Sequence, residues 1–393
     1  MQFQLLAKPA GSSCNLDCSY CFYLSKAALY PEAQPRMSEE VLERYLRQLF
    51  AASAGGEVSV AWQGGEPTLM GLRFFERAVA LADEMRSPGQ VVHHSIQTNG
   101  VLLDDAWCTF LNRNGFLVGL SIDGPRWQHD AYRVAKGGRG TFDGAVRAWK
   151  LLRRHGVDVN ILCAVHAANA GRPREVYRFF RDELHARHLQ FIPIVERNGG
   201  EGAVTRRSVD PETFGRFLVT IFDEWLRRDV GKVFVQMFDA YLGNCLGMPN
   251  LCIFAHDCAA NPVLEHNGDL YSCDHFVDPD HLLGNIGDST LGEMIGSEKQ
   301  RTFGSRKVAS LPRACHECEF LFACEGECPR NRFVRSADGE PGMNYLCAGY
   351  RAFFAHAARP MAIMAELLRA GRPTSEVARY YGSARENQVV RTQ

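Results

Sequence analysis

The stretch Phe3-Gln4-Leu5-Leu6-Ala7, followed closely by Cys14-Asn15-Leu16-Asp17-Cys18-Ser19-Tyr20-Cys21, decides how this chain is read. A short β-rich run delivers the backbone into a loop whose cysteines are spaced C-x3-C-x2-C. The same layout, a strand and then a chemically loaded loop, recurs downstream. Residues 58–62, 91–97, 116–122, 157–165 and 189–195 read as further strands, alternating with helical patterns up to about residue 230. Between the first two strands, residues 38–50 hold Val41, Leu42, Tyr45, Leu46 and Leu49 at helical spacing behind a capping Ser38. Six such repeats predict an α/β fold, a partial TIM-like (β/α)6 barrel over residues 1–231. In folds of this kind functional groups gather on loops at the carboxyl ends of the strands. The cysteine loop, Gly64-Gly65-Glu66-Pro67, Thr98-Asn99-Gly100 and Asp123-Gly124-Pro125 all occupy that position.

The bulk properties exclude several classes. The 393 residues suffice for two to three domains, or for one barrel with an extension. With 44 Lys plus Arg against 45 Asp plus Glu, no broad electrostatic field draws the chain to nucleic acid or anionic lipid. No uninterrupted apolar stretch approaches the ~18 residues of a membrane helix. Residues 1–11 carry one basic residue and no long apolar segment. That pattern predicts no secretory signal and a cytoplasmic location.

Fourteen cysteines in a reducing compartment point to metal rather than to disulfides. Besides the N-terminal three, eight cluster late in the chain: Cys252, Cys258, Cys273, Cys315, Cys318, Cys324, Cys328 and Cys347. Three plus eight divide into one site of three thiolates and two of four. Cys108, Cys163 and Cys245 stand apart and read as spectators, as do His256, His266 and His275 beside the later cysteines. After residue 232 the alternation stops, and residues 232–375 read as a separate, loop-rich, metal-stapled domain. It has a hairpin at 263–266 and 270–273 around Asn267-Gly268-Asp269, and a helix over 345–369. Residues 376–393 read as a polar tail, with 382–393 expected to fray. The three-cysteine loop fits either a zinc knuckle completed by a distant ligand or a [4Fe-4S] cubane with one iron left open to a small molecule. The later cysteines likewise fit two zinc ribbons or two clusters.

The loop from Cys14 to Cys21, with Tyr20 before its third cysteine, resembles the signature of radical S-adenosylmethionine enzymes. Gly64-Gly65-Glu66-Pro67 is similar to that superfamily's "GGEP" motif, which meets the cofactor's amino group. The resemblance implies that Cys14, Cys18 and Cys21 hold a cluster whose open iron chelates S-adenosylmethionine, cleaved by one electron to a 5′-deoxyadenosyl radical. It also implies cofactor contacts from Tyr20, Gly64, Gly65, Glu66, Ser121, Arg133 and Ile194. The later cysteines resemble a SPASM domain, implying one auxiliary [4Fe-4S] cluster on Cys252, Cys258, Cys273 and Cys328 and another on Cys315, Cys318, Cys324 and Cys347. That makes three clusters. The resemblance extends to the anaerobic sulfatase-maturating enzymes. It rests on Trp62-Gln63-Gly64-Gly65-Glu66-Pro67-Thr68-Leu69, Gln97-Thr98-Asn99-Gly100, Ser121-Ile122-Asp123-Gly124-Pro125, Gly140-Thr141-Phe142 and Tyr271-Ser272-Cys273-Asp274-His275.

That family oxidises a Cys or Ser of a sulfatase to formylglycine without oxygen, a loss of two electrons and two protons. The resemblance assigns Asp274 as the base, and Tyr23 and Gln63 to positioning the substrate peptide, a Cys- or Ser-x-Pro-x-Arg segment. It further implies a low-potential electron donor such as flavodoxin or ferredoxin. Burial beside an anionic cluster is expected to raise the pKa of Asp274. Two other readings compete. One is a SPASM maturase that cross-links short peptides, disfavoured because only thirteen residues precede Cys14. The other is a zinc-stapled binding protein without catalysis.

Overall fold

The computed structural model describes residues 3–30, 35–53, 56–200 and 202–381. Within them the six expected strands form as β1 (Leu6–Ala7), β2 (Glu57–Trp62), β3 (Val91–Thr98), β4 (Leu117–Ser121), β5 (Asp158–Val165) and β6 (His188–Pro193). Only two residues of the expected 3–7 strand count as strand, yet Gln4 N and Leu6 N still donate to Ala260 O and Pro262 O. The chain divides into two compact units. The first comprises Met1–Ile122, Arg126–Leu162 and His256–Ala309, and the second Asp123–Pro125, Cys163–Ala255 and Ser310–Gln393.

In the first unit β1 pairs in parallel with β2, β2 with β3, β3 with β4, and β4 with the start of β5. Helices Glu39–Ala52, Leu72–Met85, Asp105–Arg113 and Phe142–Arg154 fill the connections. Their starts are written in the sequence: Ser38 and Asp104 accept from Val41 N and Trp107 N, supplying partners for amides that a helix end leaves unpaired. The buried Trp62 ring meets Tyr45, Phe74 and Phe75 edge to face, which locks β2 against the first two helices.

Residues beyond 232 do not separate from the strands as expected. A further strand, β8 (Val263–Leu264), runs parallel to β1, and β9 (Asp269–Tyr271) and β10 (Leu282–Asn285) continue antiparallel from it. The cause is burial: Val263 and Leu264, paired with Leu6 and Ala7, are fully enclosed, and Leu6 packs on the cluster of Val263, Tyr271 and Val277. The first part of the cysteine-rich region therefore belongs with the N-terminal strands.

In the second unit the strand alternation also continues past 232. There β6 pairs in parallel with β7 (Phe234–Val235). Helices Pro211–Arg228, Gln236–Cys245 and Cys347–Arg369 surround an aromatic core of Phe222, Trp225, Phe238 and Phe353. The expected boundary at 375/376 falls inside a turn: Thr374–Val377 is a short helix, Val377 is fully buried, and Ala378–Tyr381 is helical. The fraying expected for 382–393 lies outside the described residues. No helix among the described residues is long and apolar enough to cross a membrane.

Candidate active site

Three loops meet at the carboxyl ends of β1, β2 and β3. Gly65 N and Glu66 N donate to Gly11 O and Ser13 O, so the glycine turn is bonded directly to the segment entering the cysteine loop. This approach requires glycine. A Cβ on Gly65 would stand 2.0 Å from Ser13 O, and Gly64 has φ +119° with Gly11 O 2.8 Å from where its Cβ would be. Gly65→Ala is accordingly expected to displace the cysteine loop, and iron analysis of the reconstituted variant should find roughly a third less iron per chain, one of three four-iron clusters. Full iron content would contradict this role.

Glu66 is wholly buried and spends both oxygens inside the protein. Oε1 accepts from Thr68 N, Thr68 Oγ1 and Thr98 Oγ1, and Oε2 accepts from Asn99 N. Those donors satisfy a buried carboxylate, so Glu66 braces β2 against β3. Asn99 Nδ2 in turn donates to Asn15 Oδ1 at 2.8 Å and faces Cys14 Sγ at 3.8 Å. From the other side, Asp17 N and Ser19 N donate to Val134 O and Tyr132 O. The Arg133 guanidinium lies 5.5 Å from the Tyr20 ring centroid.

Inside this frame the Cys14 thiol feels Cys18 and Cys21. Burial pushes its pKa up to about 12 and raises that of Cys21. In the second unit Cys315 feels Cys347 and Cys318, and Cys324 feels Cys347 and Cys315. Burial again pushes the Cys315 thiol up, to about 11. Part-buried thiols such as Cys14, Cys21 and Cys315, which resist ionising alone, suit a cationic iron-sulfur core, which draws the protons off. Cys14 thus lies within electrostatic reach of Cys18 and Cys21, and Cys315 and Cys324 within reach of Cys347. Among the described residues no three His, Cys, Asp or Glu side chains are grouped to hold a single metal ion. Of the other expected ligands, Cys258 and Cys273 belong to the first unit, and Cys252 and Cys328 to the second.

Asp274 follows Cys273 and is buried in the first unit. Its Oδ1 meets Lys8 Nζ at 2.6 Å and Lys26 Nζ at 3.0 Å, and its Oδ2 accepts from the Tyr23 hydroxyl at 3.0 Å. Tyr23 stands two residues past Cys21, which ties the carboxylate to the cysteine loop. The expected rise in pKa is not found. Burial alone raises it, but the Lys8 and Lys26 ammonium groups and His275 reverse that and hold the carboxyl well below the ordinary range. His275 is therefore not electrostatically silent.

Lys8, Lys26 and Glu265 escaped the sequence reading. Lys8 is fully enclosed and also pairs with Glu265 at 2.8 Å. The available signal was the oddity of a charge directly after each of the apolar runs Leu5-Leu6-Ala7 and Val263-Leu264. Gln63 is bonded to Gln97 Oε1 at 2.7 Å, beside the glycine turn. Ser121 ends β4 and is buried. Ile194, in the second unit, donates to Val165 O just beyond β6. Cys108 and Cys163 are buried thiols.

These features define a class. The chain matches the radical SAM superfamily over residues 9–180 and an iron-sulfur cluster-binding SPASM domain over residues 252–319. It is 46% identical over 376 residues to a serine-type anaerobic sulfatase-maturating enzyme of Bacteroides thetaiotaomicron, covering 92% of this chain and 90% of that one. To a cysteine-type anaerobic sulfatase-maturating enzyme of Clostridium perfringens it is 36% identical over 357 residues, covering 90% and 95%. The solved structure of native anSMEcpe with bound AdoMet and Cp18Cys peptide superposes with a TM-score of 0.84 at 35% identity, covering 93% of this chain and 99% of that one. The chain belongs to the anaerobic sulfatase-maturating enzymes.

Proposed function

We propose that this protein oxidises a cysteine or serine side chain of a sulfatase polypeptide to formylglycine without oxygen. The observation that carries the reading is Asp274: a buried carboxylate immediately after Cys273, paired with two lysines and hydrogen-bonded to the tyrosine that follows the three-cysteine loop. Cys14, Cys18 and Cys21 would hold the cluster that binds S-adenosylmethionine, and the two later sets of four cysteines the auxiliary clusters. When bound, these groups supply a 5′-deoxyadenosyl radical that removes one hydrogen atom from the substrate's β-carbon, and an acceptor for the second electron.

The chain's own residues handle the remaining proton. Hydrogen-atom loss makes the substrate's S–H or O–H far more acidic, so even a carboxylate held well below its usual pKa can receive that proton. Serine then yields the aldehyde directly, whereas cysteine yields a thioaldehyde that exchanges sulfide for water's oxygen. Tyr23, bonded to Asp274, and Gln63, beside the glycine turn, would position the peptide. Tyr20, Arg133 and Ser121 would contribute to the S-adenosylmethionine site, with Gly64 and Gly65 shaping the turn beside it and Glu66 bracing that turn. A low-potential flavodoxin or ferredoxin supplies the first electron. A cytoplasmic setting suits a chain with fourteen cysteines.

Anaerobic incubation with Cys- and Ser-x-Pro-x-Arg peptides tests the reading. A new carbonyl, trapped by a hydrazide reagent and located by mass spectrometry, is the expected product. A peptide that loses two hydrogens without gaining carbonyl reactivity would instead be cross-linked, and the reading would fall.

A further inference from the structure

We infer that Lys26 is a positioning residue for the proton transfer, clamping Asp274 so that Oδ2, on the Tyr23 side, is the oxygen that meets the substrate. The inference rests on the oxidation proposed above and concerns a residue that the cysteine and glycine motifs leave out. Lys26 sits in the short helix Leu24–Leu29 that follows the cysteine loop, and its ammonium is buried. It donates to Asp274 twice, to Oδ1 at 3.0 Å and to the backbone carbonyl oxygen. Side chain and main chain of the base are thereby fixed by one donor. The ammonium also lies over the Phe22 and Tyr23 rings, 4.4 and 4.9 Å from their centroids.

The charges explain why a second lysine is needed. Lys8 alone would have to serve two carboxylates, Glu265 at 2.8 Å and Asp274 at 2.6 Å. Two buried anions facing one cation leave an uncompensated charge, which protein interiors tolerate poorly. With Lys26 two ammonium groups face two carboxylates, and the four groups sum to zero. Burial is costly for this lysine, pulling its pKa down to about 8 despite the carboxylate beside it. With Oδ1 engaged by both ammonium groups, Oδ2 has a single protein partner among the bonds described, the Tyr23 hydroxyl, and is the less engaged of the two oxygens.

The readout is the ratio of aldehyde formed to 5′-deoxyadenosine released, measured on the reconstituted full chain with a Cys- or Ser-x-Pro-x-Arg peptide. For Lys26→Met the ratio is expected to fall ten- to a hundredfold, the scale of a misplaced catalytic group, while 5′-deoxyadenosine release stays within about twofold of the parent. Lys26→Arg should restore much of the ratio. A ratio unchanged in Lys26→Met, or a parallel fall of both products, would overturn the inference, since a purely structural role lowers both together. If Lys26→Met loses iron, Lys26→Gln reads the same ratio with one donor kept. Parent protein that releases 5′-deoxyadenosine but forms no aldehyde would instead overturn the underlying function.

Discussion

Alanine at Cys14, Cys18 and Cys21 together is expected to abolish 5′-deoxyadenosine formation while leaving roughly two thirds of the iron bound. The selectivity follows from where the thiols lie. These three feel one another inside one loop, whereas Cys315, Cys318, Cys324 and Cys347 are coupled among themselves in the other compact unit. The loop should keep its shape without its sulfurs, because its backbone is bonded on one side to Tyr132 and Val134 and on the other to the glycine turn. The effect is then chemical and not an unfolding. Iron and acid-labile sulfide assays with chromatography of the nucleoside check it. Undiminished 5′-deoxyadenosine, or loss of all iron, would contradict the assignment, and zinc without sulfide in the parent would restore the zinc-stapled alternative.

Asp274→Asn should separate the two halves of the reaction. The amide has nearly the same volume, so the cysteine loop and glycine turn keep their contacts and cofactor cleavage continues. It cannot accept a proton at the working pH. Aldehyde formation is expected to drop about 10²- to 10⁴-fold, the range for a positioned general base. A loss of thermal stability should accompany it, because Lys26 then faces a neutral amide in a buried site while Lys8 retains Glu265. Aldehyde analysis beside nucleoside release checks the first expectation, and a melting curve the second. Normal aldehyde yield would remove Asp274 as the base.

Much of this was legible because the signals are local. Six β-rich runs separated by helical spacing sufficed for six strands, and Asn267-Gly268-Asp269 marked a hairpin that forms with Gly268 at φ +91°. Cysteine spacing is local as well, and it set the N-terminal three apart from the eight late in the chain. What escaped is what sequence distance conceals. The pairing of Leu6–Ala7 with Val263–Leu264 has only two residues on each side, too few for a periodicity to register. Lys8 and Glu265 are 257 positions apart and nothing near either announces the other. Asp274 is the same case: burial favours a higher pKa, but Lys8 and Lys26, which oppose it, come from the far end of the chain.

That long-range pairing bears on synthesis. A ribosome releases the cysteine loop early, yet β1 stays unpaired on one edge, and Lys8 lacks both its carboxylates, until residues 263–274 have emerged. Ordering so distant a contact closes a very large loop. The nascent amino-terminal segment therefore waits, incomplete, through most of translation, and its metallocentre is best installed once residues 263–274 have joined it.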